Sequence, residues 1–112
     1  MRKHKSLLPD STLSLLSQLG ANIDLARKRR RLSVETICSR SGITPQTYRR
    51  LTKGESGLGI GVLAAVLSAM NLESDLALVA SPSSDEVGIT MERAHQPRRI
   101  RGEQTDELDT NF

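Results

Sequence analysis

Between Ser33 and Gly54 the chain carries two complete sets of helix start and stop signals, and their close spacing constrains the fold more than any other feature. Ser33 offers a hydroxyl that can cap a helix, Val34, Ile37 and Cys38 mark an inward face, and Gly42 supplies the left-handed residue that ends it. Thr44 can cap the next helix, whose first position is Pro45, where a missing backbone N–H costs nothing. That helix runs to about Lys53 and stops at Gly54. Two short helices with a tight glycine-containing turn between them form a helix-turn-helix signature.

Longer apolar patterns flank this pair. Leu16, Leu19, Ile23 and Ala26 recur at spacings of 3, 4 and 3, which predicts a first helix from about Thr12 to Arg31, capped by Ser11 or Asp10. Gly20 lies inside it at a cost of about 1 kcal/mol relative to Ala. Ile60, Leu63, Leu67 and Met70 repeat the spacing and predict a fourth helix ending near Asn71. The run from Leu76 to Ala80 is then either a strand or a coil packed on the fourth helix. A strand would have no partner within its own chain, so it would pair with the same segment of a second copy. A further short helix fits 85–94, followed by a basic cluster at 96–101 and an acidic tail.

Composition excludes several classes. The chain has 112 residues, one small domain's worth. Its two aromatics, Tyr48 and Phe112, are too few for a base-stacking platform. Cys38 is alone and cannot form an intrachain disulfide or a multi-cysteine zinc site, and it reads as a small buried hydrophobe. His4 and His95 have no ligand or acid/base partner at useful spacing, so neither an enzyme nor a cofactor is expected. No apolar run reaches the roughly 20 residues of a membrane helix, and the N-terminus lacks a secretory pattern, which together predict a soluble cytoplasmic protein.

Charge is distributed unevenly. Residues 1–54 hold twelve Lys/Arg and three Asp/Glu, whereas residues 55–112 hold four and ten. The basic half suits a polyanion such as nucleic acid. On the third helix Tyr48 and Leu51 share one side, while Gln46, Arg49, Arg50 and Lys53 share the other. Gln46 suits adenine N6 and N7, Arg50 suits guanine O6 and N7, and Thr47 can add a thymine-methyl or phosphate contact. Arg49 and Lys53 are placed for phosphates, as are Arg27, Lys28, Arg30 and Arg31 at the end of the first helix, where one or two cations also meet the helix dipole.

Residues 19–72 resemble the Xre or lambda-repressor-like helix-turn-helix family. The segments that carry the resemblance are Leu25-Ala26-Arg27-Lys28 before Leu32-Ser33, then Ser41-Gly42-Ile43-Thr44, then Tyr48-Arg49-Arg50-Leu51-Thr52-Lys53-Gly54. It implies an all-α bundle of four to five helices, dimeric binding to a palindromic operator, and base contacts from Gln46, Thr47 and Arg50. Two positions depart from the family pattern. Val34 stands where a phosphate-clamping Gln is common, so that contact either shifts to Ser33 or is lost, and Thr52 stands where Glu is frequent. Thr44 is expected to touch phosphate as well.

Downstream, Gly57-Leu58-Gly59-Ile60-Gly61, 75–80, Pro82, 85–88 and 97–101 are similar in order to the HipB-type antitoxins encoded beside HipA-type kinase toxins, in a HipBA or HipBST arrangement. The resemblance implies a repressor that autoregulates a toxin-antitoxin operon in the bacterial cytoplasm, associated with the nucleoid. It also implies a C-terminal strand that pairs across a homodimer, and binding to a HipA-like kinase toxin. The expected organisation is a basic arm over 1–10, the DNA-binding domain over 11–72, a dimerisation strand over 73–81, a linker and short helix with the basic cluster over 82–101, and the acidic tail over 102–112. Leu67, Met70, Leu76, Leu78 and Val79 are the expected dimer contacts. A rival reading makes the chain chiefly a module that docks a kinase-like partner through its acidic half, with DNA binding secondary; another makes it a stand-alone Xre-type regulator.

Overall fold

A computed structural model describes residues 7–95. The basic cluster at 96–101, the acidic tail at 102–112 and most of the expected basic arm lie outside the described residues. The chain divides into two units, residues 1–78 and 79–112.

In the first unit α1 (Asp10–Arg29), α2 (Val34–Ser41), α3 (Pro45–Thr52) and α4 (Ile60–Ala69) surround one core. Among the described residues all regular structure is helical. α2 packs on α3 and α4, and α1 packs on α3. Ile23, Ile37, Cys38, Tyr48, Leu51, Val66, Leu67 and Met70 form the buried centre, with Leu19, Ala26, Leu63 and Leu76 among the partly buried residues around it.

Caps explain the borders of the two short helices. The Ser33 hydroxyl accepts from the Thr36 N–H at 3.0 Å and the Thr44 hydroxyl from the Thr47 N–H at 3.1 Å. Pro45 holds the first position of α3, and Gly42 ends α2 at φ 70°. Each hydroxyl satisfies one donor that the helix start would otherwise leave open. α1 begins earlier than expected, after Pro9 and with no side-chain cap.

α1, α3 and α4 end alike. Each is followed by a left-handed residue, and the next N–H reaches back to the third-last helical carbonyl, the Schellman arrangement. The bonds are Leu32 N–H to Arg27 O at 3.2 Å, Glu55 N–H to Arg50 O at 3.1 Å and Leu72 N–H to Leu67 O at 2.8 Å. The left-handed positions are Arg31, Gly54 and Asn71.

Two glycines let α1 approach the end of α3. A Cβ on Gly20 would stand 2.7 Å from the Leu51 carbonyl oxygen, and one on Gly54 would stand 2.5 Å from the Ser17 nitrogen. Gly20 is therefore a contact point between helices, and its cost in helix propensity secures that approach.

Three expectations need correction. The segment expected as a strand is a 3-10 helix over Glu73–Leu78 followed by a turn. Local bonds such as Asp75 N–H to Leu72 O satisfy backbone groups there without a second strand. Leu67 and Met70, expected at a dimer surface, are 7% and 2% exposed and belong to the core of their own chain. Ile60, expected on the buried stripe of α4, is 78% exposed, and Val66 is buried in its place. α4 is apolar on nearly every side, so its spacing alone did not single out the inward face.

In the second unit a short 3-10 turn, Pro82–Ser84, packs on α5 (Glu86–His95). The Asp85 carboxylate accepts from the Gly88 N–H at 3.0 Å and caps that helix.

Candidate nucleic-acid interface

The side of α3 that can meet a ligand is set by what its other side is bound to. Tyr48 is 2% exposed and Leu51 is 7% exposed. The Tyr48 hydroxyl donates to Asp24 Oδ1 at 2.7 Å. The same oxygen accepts from Arg27 Nε at 3.2 Å and Nη2 at 3.1 Å. Arg27 Nε also reaches the Tyr48 oxygen at 3.0 Å, while Nη1 donates to the Leu32 carbonyl at 2.7 Å. Lys28 Nζ lies 3.2 Å from Asp24 Oδ2. This knot joins α1, α3 and the segment before α2, and it fixes the roll of α3 about its own axis.

Electrostatics reflect the knot. Burial by itself pushes the Asp24 carboxyl up, but hydrogen bonds from Tyr48, Lys28 and Arg27, with the Arg27 charge, bring it below the ordinary 3.8. For Tyr48, burial and the hydrogen bond to Asp24 outweigh Arg27 and push the phenol up to about 12. Burial alone would lower the Arg27 guanidinium, but Tyr48 and Asp24 raise it above its usual range. Burial, with some help from Glu35, raises the Cys38 thiol, as suits a core residue.

Gln46, Arg49 and Lys53 are exposed on the opposite side of α3, and among the described residues their side chains have no hydrogen-bonding or ionic partner. Arg50 is half exposed and its Nε donates to Glu55 Oε1 at 2.8 Å. Thr47 is partly buried, and its hydroxyl accepts from the Thr44 hydroxyl at 3.1 Å. Ser33 donates in the same way to the Thr36 hydroxyl at 2.9 Å. At the end of α1, Arg30 bonds the Ala26 carbonyl at 3.1 Å and Arg31 is exposed.

Arg27 therefore departs from its expected place among the phosphate contacts. Its side chain is 13% exposed and its donors face Asp24, Tyr48 and Leu32, so it holds the fold together. Sequence reasoning also missed Asp24 and Glu55. Asp24 stands three and four residues before Arg27 and Lys28, and an inward tyrosine needs a partner for its hydroxyl; together these signals pointed to it. Leu76 is half-buried in its own chain, whereas Leu78 and Val79 are 71% and 72% exposed.

Among the described residues no group of His, Cys, Asp and Glu could hold a metal ion, and no helix is long and apolar enough to cross a membrane. A comparison with family models matches residues 23–76 to the Xre-like helix-turn-helix family. The match runs from the buried Ile23 of α1 to Leu76 within the 3-10 helix and takes in both short helices. Over those residues the chain is similar to a helix-turn-helix domain, a type found in DNA-binding regulators that are generally non-enzymatic. No curated protein and no solved structure matches the chain.

Proposed function

We propose that the chain is a sequence-specific repressor that places α3 in the major groove of duplex DNA. The reading rests on the partition of α3, with Tyr48 and Leu51 buried and Gln46, Arg49 and Lys53 exposed on the far side. Gln46 lies in the first turn, where a helix entering the groove meets base edges, and it reads adenine. Arg50, one turn on, reads guanine, and the Thr47 methyl meets thymine. Lys28, Arg30, Arg31, Arg49 and Lys53 lie along phosphates, with Ser33 and Thr44 at the two helix starts. Each neutralised phosphate steepens the salt dependence by about 0.9.

Titration against the DNA upstream of its own gene, at several salt concentrations, tests this reading. Gln46→Ala should lose about tenfold or more in affinity for the operator and little for scrambled duplex. Equal losses on both would remove base reading.

The resemblance to HipB-type antitoxins extends the proposal. In that role the protein acts as a homodimer that autoregulates a toxin-antitoxin operon and binds a HipA-like kinase toxin. The exposed Leu78 supports a second copy as its cover, in place of the buried Leu67 and Met70. Leu78→Asp should give a monomer on sizing; an unchanged dimer would place the interface elsewhere. Co-purification with a kinase-like product of the adjacent gene tests the toxin partner, and failure to co-purify would leave a stand-alone regulator.

A further inference from the structure

Arg50 does not stand alone on the reading side of α3. Its Nε–H donates to Glu55 Oε1 at 2.8 Å, and the Glu55 backbone is itself pinned, because its N–H donates to the Arg50 carbonyl at 3.1 Å. The preceding Gly54 is left-handed at φ 79°, and a Cβ there would meet the Leu16 and Ser17 backbone. The loop carrying Glu55 is thus clamped between α1 and the end of α3. In this helix-ending arrangement the residue after the left-handed one lies beside the third-last helical residue, a pairing usually filled by two apolar side chains. Here it is filled by a carboxylate and a guanidinium.

We propose that Glu55 is a positioning residue for base reading, holding the Arg50 guanidinium by Nε so that Nη1 and Nη2 face the groove as a two-pronged donor. This inference rests on Arg50 reading guanine. The fork of two N–H groups matches the O6 and N7 acceptors of one guanine edge. An arginine without a tether loses more side-chain freedom when it docks, and it can swing to a phosphate instead. Glu55 counters both. Its carboxylate also repels phosphate, so it weakens binding to DNA at large while favouring the one geometry in which Arg50 meets a base.

The two effects have opposite signs, which makes the proposal testable. The probes are a duplex selected from a random pool by the wild-type protein and a scrambled duplex of equal length. Glu55→Ala should bind scrambled duplex as well as wild type or better, and its preference for selected over scrambled duplex should fall by about threefold to fivefold. Glu55→Gln keeps an acceptor for Nε and should recover most of that preference. Combined with Arg50→Ala, the Glu55→Ala change should add nothing further to the loss of preference. Thermal unfolding of Glu55→Ala should stay close to wild type, because the pair is exposed. If Glu55→Ala raises both affinities by the same factor, Glu55 acts only through its charge and the proposal falls. A loss of preference in Arg50→Ala with none in Glu55→Ala overturns the positioning role and leaves base reading standing. If Arg50→Ala itself keeps the full preference, the premise and the proposal fall together.

Discussion

Arg27 and Arg50 occupy the same position, third from the end of a helix that closes in the same backbone arrangement, and they have opposite fates. The side chain of Arg27 is 13% exposed and bonds to Asp24, Tyr48 and the Leu32 carbonyl. Arg50 is 43% exposed and bonds to one carboxylate, that of Glu55. The neighbour two places beyond each helix cap explains the difference. After α1 it is Leu32, which packs against the core and draws its arginine inward; after α3 it is Glu55, which stays in solvent and keeps its arginine at the surface. Equal local geometry thus yields a buried, structural arginine in one place and a surface arginine paired with a carboxylate in the other.

The sharpest way to break this parallel is at the left-handed residue. Gly54→Ala puts a Cβ at φ 79° and against the backbone of α1, 2.5 Å from the Ser17 nitrogen. Denaturant unfolding should show a loss of about 3–4 kcal/mol, combining the backbone cost with the displacement of two packed helices. A loss below about 1 kcal/mol would mean that α1 and α3 part easily and that the loop before Glu55 is not clamped.

Next in size is the contrast between the arginines themselves. Arg27→Ala leaves the Asp24 carboxylate with fewer donors and the Leu32 carbonyl without one of its partners, and it should cost about 3 kcal/mol of stability. Arg50→Ala should cost less than about 0.5 kcal/mol, because its ion pair is exposed. Similar unfolding midpoints for the two variants would refute the assignment of separate roles.

The four main helices and most caps were legible because each depends on local chemistry. Ser33, Thr44, Pro45 and Gly42 act on atoms within four residues of themselves, and the inward pair Tyr48 and Leu51 follows from helical period alone. The knot was not legible in the same way, since Asp24 and Tyr48 are 24 residues apart and meet only after α1 and α3 pack. Arg27 looked like one more cation in a run of five from Arg27 to Arg31, and nothing in that run says which member turns inward. The segment at 73–80 misled for a related reason: a short apolar run suits both a strand and a 3-10 turn, and the packing of Leu76 on the core decides between them.

The knot also makes stability depend on pH at both ends of the range. Asp24 titrates lower in the folded protein than in the unfolded chain, so its contribution is present above the unfolded value of about 3.9 and is lost as pH falls through the folded value. Tyr48 titrates higher when folded, at about 12, so its contribution is complete below about pH 10 and is lost as pH rises towards 12. The alkaline loss should be on the order of 2 kcal/mol. Tyr48→Phe should abolish it, and Asp24→Asn should flatten the acid limb. An alkaline limb that survives in Tyr48→Phe would assign the titration to other groups.

The smallest expected effect returns to the left-handed position, this time at the end of α1. Arg31 adopts φ 55°, a conformation that crowds its Cβ, where α3 has a glycine in the equivalent place. Arg31→Gly relieves that crowding but gives the unfolded chain more freedom, so the net gain should be about 0.5–1 kcal/mol. The same change removes an exposed cation beside Lys28 and Arg30. Affinity for duplex DNA should therefore fall as the melting temperature rises, with a salt slope shallower by about 0.9 if Arg31 meets a phosphate. A more stable variant with an unchanged slope would leave the strained residue without a role at the DNA, and would move the phosphate contacts towards Arg49 and Lys53 on α3.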